Sequence, residues 1–250
     1  MNAEATVDLF GIPVATVNMS QALDRVHQAI ETHQPLQIGV VNAAKVVNMG
    51  KNPELKEAVL SSDVIFADGA AIVLAAKVLG HPLPERVTGI DLMFGMFERG
   101  KDLGYRVYCL GATEEVSKQV EENIARDYPG LILAGRHHGY YGEDEEQAIA
   151  EDVRDSKADI LLVAMTSPKK EKFLAKWMDF MNVSVCHGVG GSFDVYSGKV
   201  ERAPEMWQKY GLEWLYRVKQ EPGRLWKRYL FTNIEFLWLL LKERLFPKKR

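Results

Sequence analysis

The chain alternates short apolar runs with amphipathic segments along most of its 250 residues. Six runs have the length and content of buried strands: "LQIGVVN" (36–42), "DVIFAD" (63–68), "YRVYCLG" (105–111), "LILAGRH" (131–137), "ADILLVAM" (158–165) and "VSVCHGVGG" (183–191). Helical patterns lie between them, for example over 113–129 and 168–181. This alternation predicts βαβ units, and therefore an α/β fold with a parallel sheet covered by helices on both faces.

Small or polar residues follow most of the predicted strands. They are Asn42, Asp68, Gly111, Thr166 and the turn "HGVGGS" at 187–192. Open parallel sheets bind ligands outside the carboxyl ends of their strands, and those ends meet at one edge. We therefore expect these residues to share one rim of the sheet.

Asp68 stands between an apolar strand and a helix of small residues, and two roles suit it. Aspartate is a common helix N-cap, because its side chain accepts hydrogen bonds from the first free amides. On this stretch alone the cap is the commoner role. A carboxylate fixed at a strand end beside a crevice can instead act as a general base.

Two glycine-containing turns could receive phosphate on backbone amides. The turn "HGVGGSF" (187–193) is preferred to "CLGATEEV" (109–116), whose Glu114 and Glu115 would repel an anion. A purely structural tight turn remains an alternative for both. The first strand-to-helix turn, "VVNAAKVV", contains no glycine, which argues against a nicotinamide-dependent oxidoreductase.

The sequence shows no spacing typical of a metal site or a nucleophilic triad, so we expect chemistry without a metal or other cofactor. Cys109 and Cys186 lie singly inside apolar runs and are expected to be buried, reduced thiols. Residues 1–20 lack the pattern of a secretory signal, so we expect a cytoplasmic protein.

Positive charge is concentrated at the carboxyl end. Residues 217–250 contain ten Lys or Arg against three Glu, a local charge of +7, while the other 216 residues carry 21 against 31, or −10. Within 201–229, arginines alternate with Trp207, Trp214 and Trp226. This segregation predicts a basic face for an anionic partner, although a solvated basic helix pair is an alternative.

Residues 228–250 form a dense apolar segment, but its longest uninterrupted apolar run, 236–241, has only six residues. A membrane-spanning helix needs roughly 20. A helix lying in the membrane interface fits better, with Phe231, Trp238 and Leu245 on its apolar face and basic residues near anionic headgroups. An oligomer-forming or core helix is the competing interpretation.

Six motifs cover nearly the whole chain: "FADGAAIV" (66–73), "RVTGIDLM" (86–93), "HHGYYG" (137–142), "SPKKEKF" (167–173), "GVGGSFDVYSGKVERAP" (188–204) and "GLEWLYRVKQEPGRLWKR" (211–228). In order and spacing they resemble those of the WecB/TagA/CpsF family of bacterial glycosyltransferases. The resemblance implies a Rossmann-like fold and metal-independent, inverting transfer of a sugar from a nucleotide-sugar, typically a UDP-sugar, to a polyprenyl-diphosphate-linked acceptor at the cytoplasmic membrane face.

The resemblance makes Asp68 the expected catalytic base, and it makes arginines the expected partners of the diphosphate. Arg202 is a weaker candidate, since it could pair with a nearby carboxylate such as Glu205. The expected substrate-binding residues are Asn42, Arg86, Asp91, Thr166, Lys170, Gly188, Gly190, Gly191, Asp194, Arg202, Arg217 and Arg224. The expected membrane-docking residues are Trp226, Arg228, Trp238, Lys242, Arg244, Lys248 and Lys249.

Two positions depart from the family pattern. Val40 stands where a threonine is common, and Lys170 replaces the glutamine of a "PKQE" motif. Lys170 could bind a diphosphate or a carboxylated sugar, or it could be a plain solvated lysine. These departures keep open a catalytically lapsed, membrane-associated paralogue that acts as a partner in polysaccharide synthesis.

The sequence thus predicts a Rossmann-like core over 1–200 and a basic, aromatic-rich helical appendage over 201–250. Its expected partners are a nucleotide-sugar, a lipid-linked glycan acceptor and the anionic inner face of the cell membrane. Nucleic acid is not expected, and a homo-oligomer is possible.

Overall fold

A computed structural model describes residues 5–166 and 169–246, apart from the side chain of Arg224. Eight strands are present in this part of the chain: β1 (Thr6–Leu9), β2 (Ile12–Ala15), β3 (Leu36–Val41), β4 (Val64–Ala67), β5 (Arg106–Gly111), β6 (Ile132–His137), β7 (Ile160–Ala164) and β8 (Val185–Gly188).

Twelve α-helices accompany the strands in the same described residues. They are α1 (Met19–Thr32), α2 (Ala43–Met49), α3 (Pro53–Leu60), α4 (Ala70–Val78), α5 (Gly89–Leu103), α6 (Glu114–Asp127), α7 (Glu146–Asp155), α8 (Lys169–Met181), α9 (Ser192–Tyr196), α10 (Glu205–Lys209), α11 (Glu213–Gln220) and α12 (Pro222–Leu245).

Six strands form one sheet in the order β4-β3-β8-β7-β5-β6, and every neighbouring pair is parallel. All six correspond to the strands predicted from the apolar runs, with no end moved by more than three residues. The two predicted helical patterns are found as α6 and α8. The prediction of an α/β fold with a parallel sheet is confirmed.

Successive side chains of a strand pack into the cores on opposite faces of the sheet, as the pleat requires. In β4, Phe66 packs into a cluster with helices α1 and α5, while Ile65 packs into a second cluster with α2, α3 and α4. A third cluster covers β5, β7 and β8 with α7 and α8. Helices therefore cover both faces, as predicted, and the free thiols of Cys109 and Cys186 are buried between them.

The amino-terminal hairpin of β1 and β2 was not predicted. Its two-residue loop is Phe10-Gly11, and both residues have positive φ, 59° and 79°, as tight hairpins with the favoured twist require. The buried side chains Ile12 and Val14 join the cluster beside α2. The ring centroid of Phe10 lies 5.4 Å from that of Phe236 in α12.

The carboxyl-terminal helices are bound to the rest of the fold through that contact. Phe236 is only 4% exposed and, with the partly buried Leu239 and Leu240, packs in the same cluster as α2. Lys51 and Glu235 form an ion pair of 2.5 Å at its edge. One face of α12 is therefore a core face. Among the described helices, none is long and apolar enough to cross a membrane.

Candidate active site

The carboxyl edge of the sheet gathers the predicted rim. Strands β4, β3, β8 and β7 are consecutive neighbours, so the residues at or just beyond their ends lie in a row. These residues are Asp68, Asn42, Gly188 and Thr166 in that order. The parallel sheet thus brings together residues that are up to 146 positions apart in the chain.

Asp68 is held at this edge by its backbone and by Asn42. Its amide donates to the carbonyl oxygen of Val41 at 2.8 Å. Gly69, with φ of 104°, takes the cap position of α4, and that helix start has no side-chain cap hydrogen bond. Asp68 therefore does not serve as the N-cap of α4, and its carboxylate faces the rim.

Burial raises the pKa of the Asp68 carboxyl above its ordinary value of 3.8. The positive charge of Lys45 and a side-chain hydrogen bond with Asn42 oppose this effect, as does Arg217 of α11 more weakly. Glu213 of α11 adds to the increase by repulsion. The carboxylate is thus costly to ionise and is surrounded by groups that govern its charge, which is typical of catalytic acids and bases.

Lys45 is a charged member of the site that was not predicted. Asn42 caps α2 by accepting from the Lys45 amide at 3.0 Å, and the Lys45 ammonium donates to the carbonyl of Val40 at 2.8 Å. Burial, together with repulsion from Lys170, lowers the pKa of Lys45 to about 8. A lysine in the apolar turn "NAAKVV" directly after a buried strand was the available signal.

Lys170 lies against the end of β8. Its ammonium nitrogen is 2.8 Å from the position that a Cβ on Gly188 would occupy, and its side chain is only 13% exposed. It also lies 3.3 Å from a carboxylate oxygen of Glu171. The alternative of a plain solvated lysine is wrong, and the glycine is what leaves space for this cation at the rim.

Arg86 belongs to the loop beside Asp68. The amide of Val87 donates to the carbonyl of Ala67 at 2.9 Å, which places Arg86 next to the strand end that carries the aspartate. Its Nη1 lies 3.2 Å from Glu213 Oε1, but this nitrogen is buried and has no hydrogen-bond partner within the described structure. Arg86, which is predicted to bind the diphosphate, therefore has a guanidinium nitrogen that can still donate a hydrogen bond.

The appendage meets the core at this same point. Gly211 has φ of 69°, and a Cβ there would lie 2.3 Å from the Cβ of Ala70, the first residue of α4. Only glycine permits so close an approach, and α11 then presents Glu213 and Arg217 to Asp68. Glu213 was not predicted as a site residue. The side chain of Arg224 lies outside the described structure.

Asp91 and Arg202, both predicted to bind substrate, are bonded to each other. The Arg202 guanidinium donates to Asp91 Oδ1, and Thr88 donates to Oδ2 at 2.6 Å. The expected carboxylate partner of Arg202 is thus Asp91 rather than Glu205. Behind them, the buried His187 donates from Nε2 to the carbonyl of Gly89 at 3.0 Å. Burial lowers the pKa of His187 to about 4, so it is a neutral support for the start of α5.

The two glycine turns differ in how much space they leave. At Gly111 a Cβ would lie 2.4 Å from the Ala164 carbonyl oxygen, so only glycine fits at this position of the turn at 109–116. Gly190, with φ of 54°, has open space where its side chain would be. Asp194 follows on α9 and lies 3.6 Å from the ammonium of Lys199. The preference for 187–193 as the phosphate-binding turn stays a prediction.

The "HHGYYG" loop covers the opposite end of the rim. Lys169 donates to the carbonyls of Gly139 and Tyr141 at 2.9 and 2.8 Å and lies over the Tyr141 ring. Tyr140 is left 75% exposed at the tip. An exposed aromatic side chain on a braced loop was not predicted from the sequence.

The outer face of α12 carries the predicted docking residues. Trp226 and Trp238 are exposed and lie on a surface with other large apolar side chains: Leu230, Phe231, Ile234, Leu237, Leu241 and Leu245. Trp214 of α11 joins Trp226 in lining a groove of about 370 Å³. Arg228, Lys242 and Arg244 flank this apolar surface. Lys248 and Lys249 lie outside the described residues.

Across residues 5–166 and 169–246, the structure contains no group of three or more His, Cys, Asp or Glu side chains placed to hold a metal ion. The charged groups at the rim are instead the carboxylates and cations already described. Such a set can take a proton and bind an anion.

Comparison with known proteins identifies the family. The sequence profile described as the glycosyl transferase WecG/TagA/CpsF family matches residues 7–250. A protein of Bacillus spizizenii, named N-acetylglucosaminyldiphosphoundecaprenol N-acetyl-beta-D-mannosaminyltransferase, is 36% identical over 180 residues, which cover 72% of this chain and 69% of the relative. The chain that builds this rim therefore belongs to the WecG/TagA/CpsF family of glycosyl transferases.

Proposed function

We propose that the protein transfers a sugar, with inversion, from a nucleotide-sugar to a polyprenyl-diphosphate-linked glycan during the synthesis of a cell-surface polysaccharide. A UDP-sugar is the first donor to test. The acceptor class follows the name of the Bacillus relative, whose acceptor is N-acetylglucosaminyldiphosphoundecaprenol. The observation that carries the proposal is a partly buried carboxylate, Asp68, among cations from three separate elements.

The chemistry is a single displacement. Asp68 takes the proton of the acceptor hydroxyl as its oxygen forms a bond to the anomeric carbon. The bond from that carbon to the donor phosphate breaks, and its electron pair stays on the leaving diphosphate. Arg86 and Arg217 stabilise that charge, and Lys170 extends the cationic surface toward Gly188. Because no protein–sugar bond forms, the configuration at the anomeric carbon inverts.

The other predicted ligands fall into two groups under this proposal. Asn42 orients Asp68, while Thr166, Gly188, Gly190, Gly191 and Asp194 surround the open part of the rim and shape the nucleotide pocket. No step requires a metal ion, because the cations at the rim stabilise the departing charge.

The experiment is a transfer assay with a panel of nucleotide-sugars and a polyprenyl-diphosphate-linked acceptor, in EDTA and then with Mg²⁺ or Mn²⁺ restored. Transfer in EDTA with inverted configuration supports the proposal. Nucleotide binding without turnover by any donor would instead identify the lapsed paralogue suggested by Val40 and Lys170. Activity that returns only with metal would overturn metal independence.

The pH profile tests the role assigned to the charges around Asp68. Lys45→Met removes a positive charge that lowers the pKa of Asp68, so the base is protonated up to a higher pH. We expect the acid limb of kcat/KM to move to higher pH in this variant and to stay in place in Lys45→Arg. An acid limb that is identical in all three proteins would contradict the assignment.

We further propose that the outer face of α12 rests on the inner membrane surface. Lys242→Glu with Arg244→Glu should weaken binding to phosphatidylglycerol vesicles by more than about 30-fold at low salt, since each basic residue lost near such a surface costs about 1 kcal/mol and each glutamate introduced adds repulsion. Added salt should reduce the difference. The matched control is Lys118→Glu with Lys157→Glu, which makes the same charge change at exposed sites elsewhere.

Equal vesicle binding by both double variants would exclude docking through α12. A concentration-dependent dimer that disappears when Phe231 and Trp238 are both changed to serine would then assign the apolar face to an oligomer. The full chain is used throughout, because α12 supplies Phe236 to the core.

A further inference from the structure

The segment 201–204, here called the strap, connects the core to the helices that complete the rim. It follows α9 and leads through α10 to α11, which carries Glu213 and Arg217. The position of these two charges relative to Asp68 therefore depends on how the strap leaves the core. A displacement of the strap would move α11 as a unit.

Neighbouring residues of the strap bond in opposite directions. Arg202 donates to Asp91, at the start of α5 in the core. Glu201 bonds to α11 instead, since its carboxylate accepts from the Tyr216 hydroxyl at 2.8 Å and its carbonyl accepts from Gln220 at 3.0 Å. The strap is thus fastened on one side to the core and on the other side to α11.

The core end of the strap is rigidly built. Thr88 caps α5 and also donates to Asp91 Oδ2, so both oxygens of that carboxylate are engaged within the protein. The Arg202 guanidinium lies over the Phe94 ring, 5.7 Å from its centroid. The pair is thus held on the core side by Thr88 and Phe94, while about a third of each side chain stays exposed.

The same core element reaches the catalytic strand. Arg86, Val87 and Thr88 are consecutive residues. The amide of Val87 donates to the carbonyl of Ala67, the last residue of β4. Arg86 in turn lies 3.2 Å from Glu213 of α11. A closed chain of contacts therefore links the end of β4 beside Asp68 to the 86–91 segment, the strap and α11, and it returns to Arg86 through Glu213.

We propose that Asp91 and Arg202 are positioning residues, whose ion pair sets the strap and thereby holds α11 in register against the Asp68 end of the sheet. This inference rests on the proposed function and assigns the two residues a role other than substrate binding. Their contribution to transfer is made through Arg86, Glu213 and Arg217. Tyr216 holds the strap to α11 through its hydrogen bond to Glu201.

The test compares Arg202→Ala, Tyr216→Phe and their combination in the full chain. Misplacement of catalytic groups by about 1 Å can cost a hundredfold, so we expect Arg202→Ala to lower kcat about ten- to a hundredfold. The Kd for uridine, which lacks the diphosphate assigned to Arg86 and Arg217, should stay within about twofold, because the open glycine turn is untouched. Because both contacts act through one strap, the combined loss should be smaller than the product of the single losses.

Pairing is tested by exchanging the charges. Asp91→Arg with Arg202→Asp should recover much of the kcat that either single change removes, and Arg202→Lys should lose less than Arg202→Ala. A ligand role predicts the reverse: a raised KM for donor or acceptor, an unchanged kcat and no recovery on exchange. That pattern would overturn the proposal.

Hydrogen exchange provides a readout that does not depend on turnover. We expect α11 amides to exchange faster in Arg202→Ala and in Tyr216→Phe, while α6 amides are unchanged. If no donor is ever transferred, the proposed function fails, but this comparison still shows whether the strap holds α11 in place. Should Arg202→Ala not fold, Tyr216→Phe carries the test, and native exchange of α11 in that variant contradicts the proposal.

Discussion

Asp68→Asn is expected to lower kcat by about 10² to 10⁴, the usual loss when a general base is removed, with no loss of thermal stability. Burial raises the pKa of Asp68, so the folded protein binds its proton more tightly than the unfolded chain does. At neutral pH the ionised carboxylate therefore opposes folding, and a neutral asparagine of similar shape removes that opposition. The melting temperature should stay the same or rise.

The matched control is Asp63→Asn, at the amino end of the same strand. Asp63 accepts a hydrogen bond from the Gln37 amide at 2.6 Å, far from the rim. This variant should keep kcat and lose some stability, the opposite of Asp68→Asn. An Asp68→Asn protein with full specific activity but a lower melting temperature would show that the carboxylate is structural.

The six sheet strands could be predicted because a parallel sheet buried on both faces needs continuous apolar runs. The hairpin of β1 and β2 could not be predicted, because it contains no continuous apolar run of that kind. Its strands have four residues each, and their pairing depends on positive φ at Phe10 and Gly11, a conformation that phenylalanine rarely adopts. Packing of Phe10 against Phe236, 226 positions away, accompanies that unusual turn.

The residues of the candidate site also divide into those that could be predicted from the sequence and those that could not. Asp68, Asn42 and Gly188 could be placed on one rim because strand ends are local features and the sheet aligns them. Lys45 and Glu213 could not, since their importance comes from burial and from charges on distant elements. A lysine and a glutamate in amphipathic segments usually face solvent, and only the packed structure separates these two from the others.

The family resemblance added what the physics of single residues could not. It singled out Asp68 from other possible caps and linked the arginines of 211–228 to the core. It also placed Asp91 and Arg202 among the expected ligands. In the fold these two charged residues, 111 positions apart in the chain, bond to each other.

Arg217→Ala is expected to lower kcat about a hundredfold, since loss of one group that stabilises developing charge typically costs 10² to 10³. Its charge acts on Asp68 from α11, and under the proposed function it stabilises the leaving diphosphate. The diphosphate carries more charge in the transition state than in the bound donor, so kcat should fall more than KM rises. The side chain is exposed, and its loss should change the free energy of unfolding by no more than about 0.5 kcal/mol.

Lys219→Ala is the control, because Lys219 is an exposed cation two residues further along α11 and therefore lies on another side of the helix. It should leave kcat within about twofold, given that surface substitutions away from a site have small effects. Arg217→Ala should also move the acid limb of the pH profile upward, since one of the positive charges that lower the pKa of Asp68 is gone, and Lys219→Ala should not. Equal kcat values and identical acid limbs in the two variants would remove α11 from the chemistry. The rate would then not depend on α11, and of the two arginines that the proposed function assigns to the leaving group only Arg86 would keep that role.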